Sequence, residues 1–190
     1  PLPSDRASLA RACLVAAAEA EARLGLPPGI LAALSLTESA AHPFAIGTAA
    51  RSHYPTTHAE AVRIARAAGA GAAAGCFQIS IGVHAARDVS WLFDPWASAL
   101  FAGRKLVRHL EATGGDWAGA LARYAGARPE SETTRLYLCR VSASLAGMGH
   151  APPPGVGTDS CRAGEARTAL AKARTLLARA NGPTALAAIP

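Results

Sequence analysis

Residues 27–47 read PPGILAALSLTESAAHPFAIG, and the fold is decided by how this stretch is read. The paired prolines suit the first turn of a helix, and the apolar run after them carries Ile30, Leu31 and Leu34 towards Glu38. Leu31, Leu34 and Glu38 are spaced by three and four, so they share one helical face. If that face meets a core, Glu38 is drawn into apolar surroundings, and loss of hydration raises a carboxyl pKa. The negative end of the helix dipole acts in the same direction. Together they favour a neutral acid near about pH 6 or 7, able to give a proton to a departing oxygen. Spacing alone leaves the commoner alternative open, a solvated glutamate at a frayed helix end.

Outward from this stretch, the chain reads as mainly α-helical. With 190 residues, 51% of them apolar, it fits one ordinary domain with an appendage. Abundant alanine and only 5% aromatics suit closely packed helices better than a sheet. Helical patterns run from about Asp5 to Leu24, with Leu9, Cys13, Ala16, Ala20 and Leu24 on one stripe. Others run from the capping-box pattern Thr57–Glu60 to Gly69, and from Asp94-Pro95 to Gly114-Gly115. A further one starts at Asp116 with Trp117, Leu121 and Tyr124 at helical spacing, and another covers about Glu132 to Leu145. GCFQISIGV, residues 75–83, alternates too briefly for a real sheet and reads as a loop or at most a minor β-hairpin.

Residues 1–148 are expected to form the domain and 149–162 a proline- and glycine-rich linker. Residues 163–190 then give a last amphipathic helix, with Leu170, Ala173, Leu176 and Leu177 on one side, and a loose tail after Gly182. That helix either packs back on the domain or meets a partner.

The net charge of +6 favours polyanionic partners, but the cations are scattered and no nucleic-acid motif accompanies them, so nucleic acid is set aside. Residues 67–86 have the length of a membrane span, yet glycine, Gln78 and His84 argue against one. The chain is therefore not read as an integral membrane protein. It opens on Pro1, which reads as a processed or trimmed form whose signal peptide is gone.

Cys13, Cys76, Cys139 and Cys161 include no CxxC pair, so no metal site is expected. They allow three disulfide pairings, and nearness in sequence favours Cys13 with Cys76 and Cys139 with Cys161. Four buried thiols are the alternative. His53 and His58 lack the helical spacing of a zinc pair, and His42 reads as a surface-loop histidine, with a place beside Glu38 as the other option. Glu60, Asp88, Asp94 and Asp116 read as caps or loop charges rather than as a second catalytic carboxyl.

Three motifs in order lift the functional reading of Glu38. PPGILAALSLTESAAHPFAIG resembles the catalytic helix of the lysozyme-like soluble lytic transglycosylases, the SLT family, with Glu38-Ser39 as the Glu-Ser pair. Gly75-Cys76-Phe77-Gln78-Ile79 is similar to the family's Gly-x-Met-Gln-Ile loop, and Ala122-Arg123-Tyr124 to its Ala-x-Tyr motif. Phe93-Asp94-Pro95 stands at the usual start of the following helix.

The resemblance implies a lysozyme-like helical fold and cleavage of the β-1,4 glycosidic bond of peptidoglycan glycan strands without water. Glu38 would act first as acid and then as base to leave a 1,6-anhydro product, with no cofactor. It implies substrate contacts for Ser39, Gly75, Gln78 and Ile79, and a hydroxyl from Tyr124 reaching Glu38. It also implies a periplasmic or secreted protein, of the kind that serves a secretion, pilus or flagellar apparatus, here through the last helix. A hydrolytic goose-type lysozyme and a non-catalytic wall-binding scaffold are the alternatives. Ala40, Phe77 and Ala125 depart from the family's glycine, methionine and asparagine, which puts sugar contacts and turnover in question.

Overall fold

The computed structural model describes residues 5–181; the tail after Gly182 lies outside them. Among the described residues eight α-helices dominate, with four two-residue strands set among them. The first helix, α1 (Arg6–Leu24), starts where Asp5 accepts a hydrogen bond from the Ser8 amide at 2.9 Å. It buries Leu9, Cys13, Ala16 and Ala20, the expected stripe, and beside them Glu21.

The second helix, α2 (Ile30–Ser39), is buried almost all round from Ile30 to Leu36 and forms the centre of the molecule. Its N-cap, Gly29, has no side chain to offer. The Glu21 carboxylate of α1 takes that role, accepting from the amides of Gly29 (2.8 Å), Leu31 (2.7 Å) and Ala32 (3.1 Å). A buried acid on one helix thus holds the start of the next, and α2 cannot slide along its axis.

After α2 the chain forms a small antiparallel sheet of β1 (Ile46–Gly47), β2 (Ser52–His53), β3 (Ala73–Ala74) and β4 (Ile79–Ser80), in the order β2-β1-β3-β4. The β3–β4 hairpin falls in the segment read as a loop or minor hairpin. The β1–β2 hairpin was not foreseen, because two-residue ladders carry no alternation to detect. Helix α3 (His58–Ala68) follows β2. Thr57 caps it, accepting from the Glu60 amide at 3.3 Å, while the Glu60 carboxylate turns to Arg63 instead of closing the expected reciprocal box. A short helix, α4 (Ile81–His84), follows β4.

Helix α5 (Pro95–Ala112) lies along α1, and α6 (Trp117–Tyr124) packs on α5. Asp94 and Asp116 cap these two helices through their carboxylates, as the sequence predicts. Helix α7 (Glu132–Gly147) lies against α2, and α8 (Glu165–Asn181) packs back on α7 and α1. A Cβ placed on Gly147 would meet Ala173, Leu170 and Leu177 at 3.4–3.6 Å, so the apolar stripe foreseen on α8 is occupied by α7. Disulfides join Cys13 to Cys76 and Cys139 to Cys161, the pairing that nearness in sequence favours. No described helix is long and apolar enough to cross a membrane.

Candidate active site

Glu38 sits in the last turn of α2 with its side chain only partly open to solvent. Its Oε1 accepts a hydrogen bond from the Tyr137 hydroxyl of α7 at 2.6 Å. Burial pushes the Glu38 pKa up to about 7, against the opposing pull of the Tyr137 hydroxyl and of the Lys105 ammonium on α5. Desolvation is the larger influence, as the apolar face of α2 led one to expect. The carboxyl is therefore poised between its acid and base forms near neutral pH, the condition a proton-shuttling group requires.

Ser39 and Tyr124 do something other than foreseen. The Ser39 hydroxyl donates to the Cys76 carbonyl (2.8 Å) and accepts from the His42 amide (3.0 Å), wholly buried. The Tyr124 hydroxyl donates to the Phe77 carbonyl at 3.1 Å. The tyrosine that reaches Glu38 is Tyr137, so the expected Tyr124–Glu38 hydrogen bond is corrected. Both predicted contact residues are instead anchors of the turn Gly75–Gln78 that joins β3 to β4. Cys76 ties the same turn to α1 through its disulfide, and Phe77 is fully buried. Phe77 in place of methionine is thus a packing choice and has no surface to present to a sugar.

Gly75 holds φ +80°, and a Cβ there would lie 2.1 Å from the Leu92 carbonyl oxygen. Its close approach is to the protein's own backbone, not to an open cleft. Gln78 holds φ +46°, strained for a side-chain-bearing residue. Its Nε2 donates to the carbonyls of Gly75 (3.1 Å) and Ala45 (3.3 Å), so both amide hydrogens are engaged. The acceptor Oε1 hangs over Gly47, where a Cβ would come within 2.6 Å of it. Gln78 is left with an acceptor to offer rather than with both functions. Ile79 is 1% exposed and belongs to the core, so its side chain is not a contact surface.

Lys105 completes the site. Its ammonium donates to the Tyr124 carbonyl at 3.1 Å and lies 4.2 Å from the centroid of the Tyr124 ring. Sequence reading missed both Lys105 and Tyr137. The only signal for Tyr137 was a hydroxyl-bearing aromatic bordering the apolar stripe of its helix, and Lys105 was one of many scattered cations. His42 is buried rather than set on a surface loop. Its Nδ1 accepts from the Phe44 amide at 3.2 Å, and burial, with Arg6 nearby, holds its pKa down to about 4.

No second carboxyl faces Glu38 among the described residues: Asp94 and Asp116 are caps, Asp88 accepts from Ser90, and Glu60 is exposed near Arg63. Nor do three His, Cys, Asp or Glu side chains there gather closely enough to hold a metal ion.

The family model described as Transglycosylase SLT domain matches residues 16–135. The chain belongs to the SLT family. No curated protein and no solved structure gives a match. The matched span of the SLT domain runs from α1 to the first turn of α7, and so takes in Glu38, Lys105, the Gly75–Gln78 turn and Tyr124. Tyr137, the hydroxyl nearest the SLT domain's candidate acid, lies just beyond its end. SLT domains belong to the lytic-transglycosylase and lysozyme-like proteins that act on peptidoglycan. Two disulfides in this SLT protein agree with an oxidising compartment.

Proposed function

We propose that the protein is a lytic transglycosylase that cleaves the MurNAc–GlcNAc β-1,4 bond of peptidoglycan with Glu38 as the single catalytic residue. The observation that carries this reading is a carboxyl held near pKa 7 by burial, bonded to one tyrosine hydroxyl, with no second carboxyl facing it. Most glycosidases that use water or a covalent intermediate rely on a pair of carboxyls. With one, the same group must serve twice.

Protonated Glu38 gives its proton to the glycosidic oxygen as the C1–O bond breaks, and the N-acetyl group of the cleaved sugar stabilises the cationic carbon. The Glu38 carboxylate then takes the proton of the 6-hydroxyl as that oxygen bonds to C1 and closes the 1,6-anhydro ring. Tyr137 and Lys105 stabilise the carboxylate between the two transfers, and Gln78 offers its Oε1 to a sugar hydroxyl or amide. The protein acts outside the cytoplasm, in the periplasm or as a secreted enzyme, where both its substrate and oxidised cysteines occur. A partner apparatus reached through α8 has no support in the packing, since the apolar side of that helix is taken up by α7.

Mass analysis of peptidoglycan digests tests the proposal. Wild type should release muropeptides one water lighter than hydrolytic products, and Glu38→Gln should release at least about a thousandfold less. Products of hydrolytic mass assign the chain to the lysozymes instead. Wild type as inert as Glu38→Gln, with retained wall binding, assigns it to the non-catalytic modules.

A further inference from the structure

The residues just before Glu38 on α2 and just before Tyr137 on α7 line a cavity of about 410 Å³ that neither member of the pair enters. Three helices wall it: Leu36 and Thr37 come from α2, Leu136, Arg140 and Ser144 from α7, and Ala169, Lys172 and Leu176 from α8. The volume falls within the range of small-molecule sites, about 300–1,000 Å³. Apart from Leu36 and Thr37, the lining lies past residue 135, outside the span that the SLT model matches. The cavity is a product of packing α8 onto the domain, and cleavage at Glu38 gives it no role.

Two hydroxyls of the lining are unspent. Thr37 Oγ1 is buried without a hydrogen-bond partner. Ser144 is 5% exposed, and its hydroxyl makes no hydrogen bond among the described residues. A buried hydroxyl left unpaired costs stability, which a ligand oxygen beside it recovers. Glu165 also lines the cavity, but the Arg135 guanidinium and the Arg162 amide engage both its oxygens and hold its pKa down to about 2. The charges left to a ligand are Arg140 and Lys172, both exposed at the rim and able only to donate. Other cations of this surface are equally free of ion pairs; these two are distinguished by lining one cavity. The leucines and Ala169 make the remaining wall apolar.

We infer that the cavity between α2, α7 and α8 binds a small amphipathic anion, an acyl carboxylate. Its head takes hydrogen bonds from Arg140, Lys172 and the Ser144 hydroxyl, and its hydrocarbon tail covers Leu36, Leu136 and Leu176. Such a ligand touches all three helices, so it ties α8 to the last turn of α2 and stabilises the folded state by mass action.

Calorimetric titration of the full chain with decanoate, kept below its micelle concentration, tests the inference. Wild type should give saturable one-site binding, and decanol, which has the same tail without the charge, should bind about tenfold more weakly. Removing the two rim cations together (Arg140→Ala, Lys172→Ala) should weaken decanoate about tenfold and leave decanol unchanged. The control pair Arg167→Ala, Arg174→Ala, on α8 outside the lining, removes the same charge and should change neither. Ala169→Trp, which fills the cavity and keeps both cations, should abolish decanoate binding while its unliganded melt stays cooperative. If that variant does not fold, the charge pairs decide alone. Vesicles of phosphatidylglycerol distinguish the source of the acyl chain: heat with decanoate only points to a free acyl anion, and heat with both to a lipid drawn from a bilayer. Absent or unsaturable binding, equal affinity for decanol, equal loss from the control pair, or full binding by a folded Ala169→Trp would each overturn the site.

Discussion

At Glu38 two influences of opposite sign meet, and burial wins. The folded pKa of about 7 lies above the ordinary 4.5. Between those two pH values the folded protein keeps a proton that the unfolded chain has released. The contribution of Glu38 to stability therefore falls as pH rises from about 4.5 to about 7, then levels off. Replacing the carboxyl by an amide removes this cost, so Glu38→Gln should be more stable than wild type at pH 8. The gain should be about 2 kcal/mol, allowing for partial solvent access, and should vanish near pH 4, as thermal melts at the two pH values would report. The wild-type rate of bond cleavage should fall as pH rises through about 7, because the acid form is lost. A stability gain equal at both pH values would mean that Glu38 is not the desolvated group described here.

Two neighbouring residues show what the sequence hid at this scale. Ala40 ends α2 at φ +56°, a conformation glycine adopts freely, which accounts physically for the glycine common in the family. Tyr124 and Ser39 stood in the right motifs, but their hydroxyls serve the Gly75–Gln78 turn. A motif names the residues that meet; the direction of each hydroxyl depends on chain segments tens of residues away.

At the scale of elements, caps made the fold legible. Asp5, Thr57, Asp94 and Asp116 each bond the first turn of the helix they precede, so helix starts could be read from local chemistry. Long-range devices could not. The hold of Glu21 on α2 spans eight to eleven residues and replaces a cap that Gly29 lacks. Glu21 also breaks the apolar pattern of α1, so the sequence gives it no role. Glu21→Ala would strand three buried amides. It should cost about 3 kcal/mol in chemical denaturation, with Glu21→Gln costing less because its Oε1 still accepts. Since α2 carries Glu38, the alanine variant should also lose activity well below its melting temperature. Unchanged stability would show that the start of α2 is held by something else.

At the scale of the whole molecule, residues 149–164 strap α8 onto the body. Pro153 and Val156 are buried along the strap, and Cys161 is bonded to Cys139 of α7. Beside that bond, Arg135 reaches the Ser160 carbonyl (2.6 Å) and the Glu165 carboxylate, and Arg162 reaches Glu132. At the far end of α8, Arg11 of α1 donates to the Ala180 carbonyl at 3.3 Å. The two disulfides act on different parts. Cys13–Cys76 closes a separation of 63 residues and holds the Gly75–Gln78 turn against α1, whereas Cys139–Cys161 closes 22 and holds only the strap. Loop-closure entropy assigns them about 4 and about 3 kcal/mol. Replacing Cys139 and Cys161 by serine should therefore lower the melting temperature and raise hydrogen exchange along α8 while leaving Glu38 and its cleavage rate at moderate temperature unchanged. Replacing Cys13 and Cys76 should lower stability and activity together, because the turn carrying Gln78 loses its tether. Equal loss of activity from both pairs would place α8 in the catalytic architecture, not beside it.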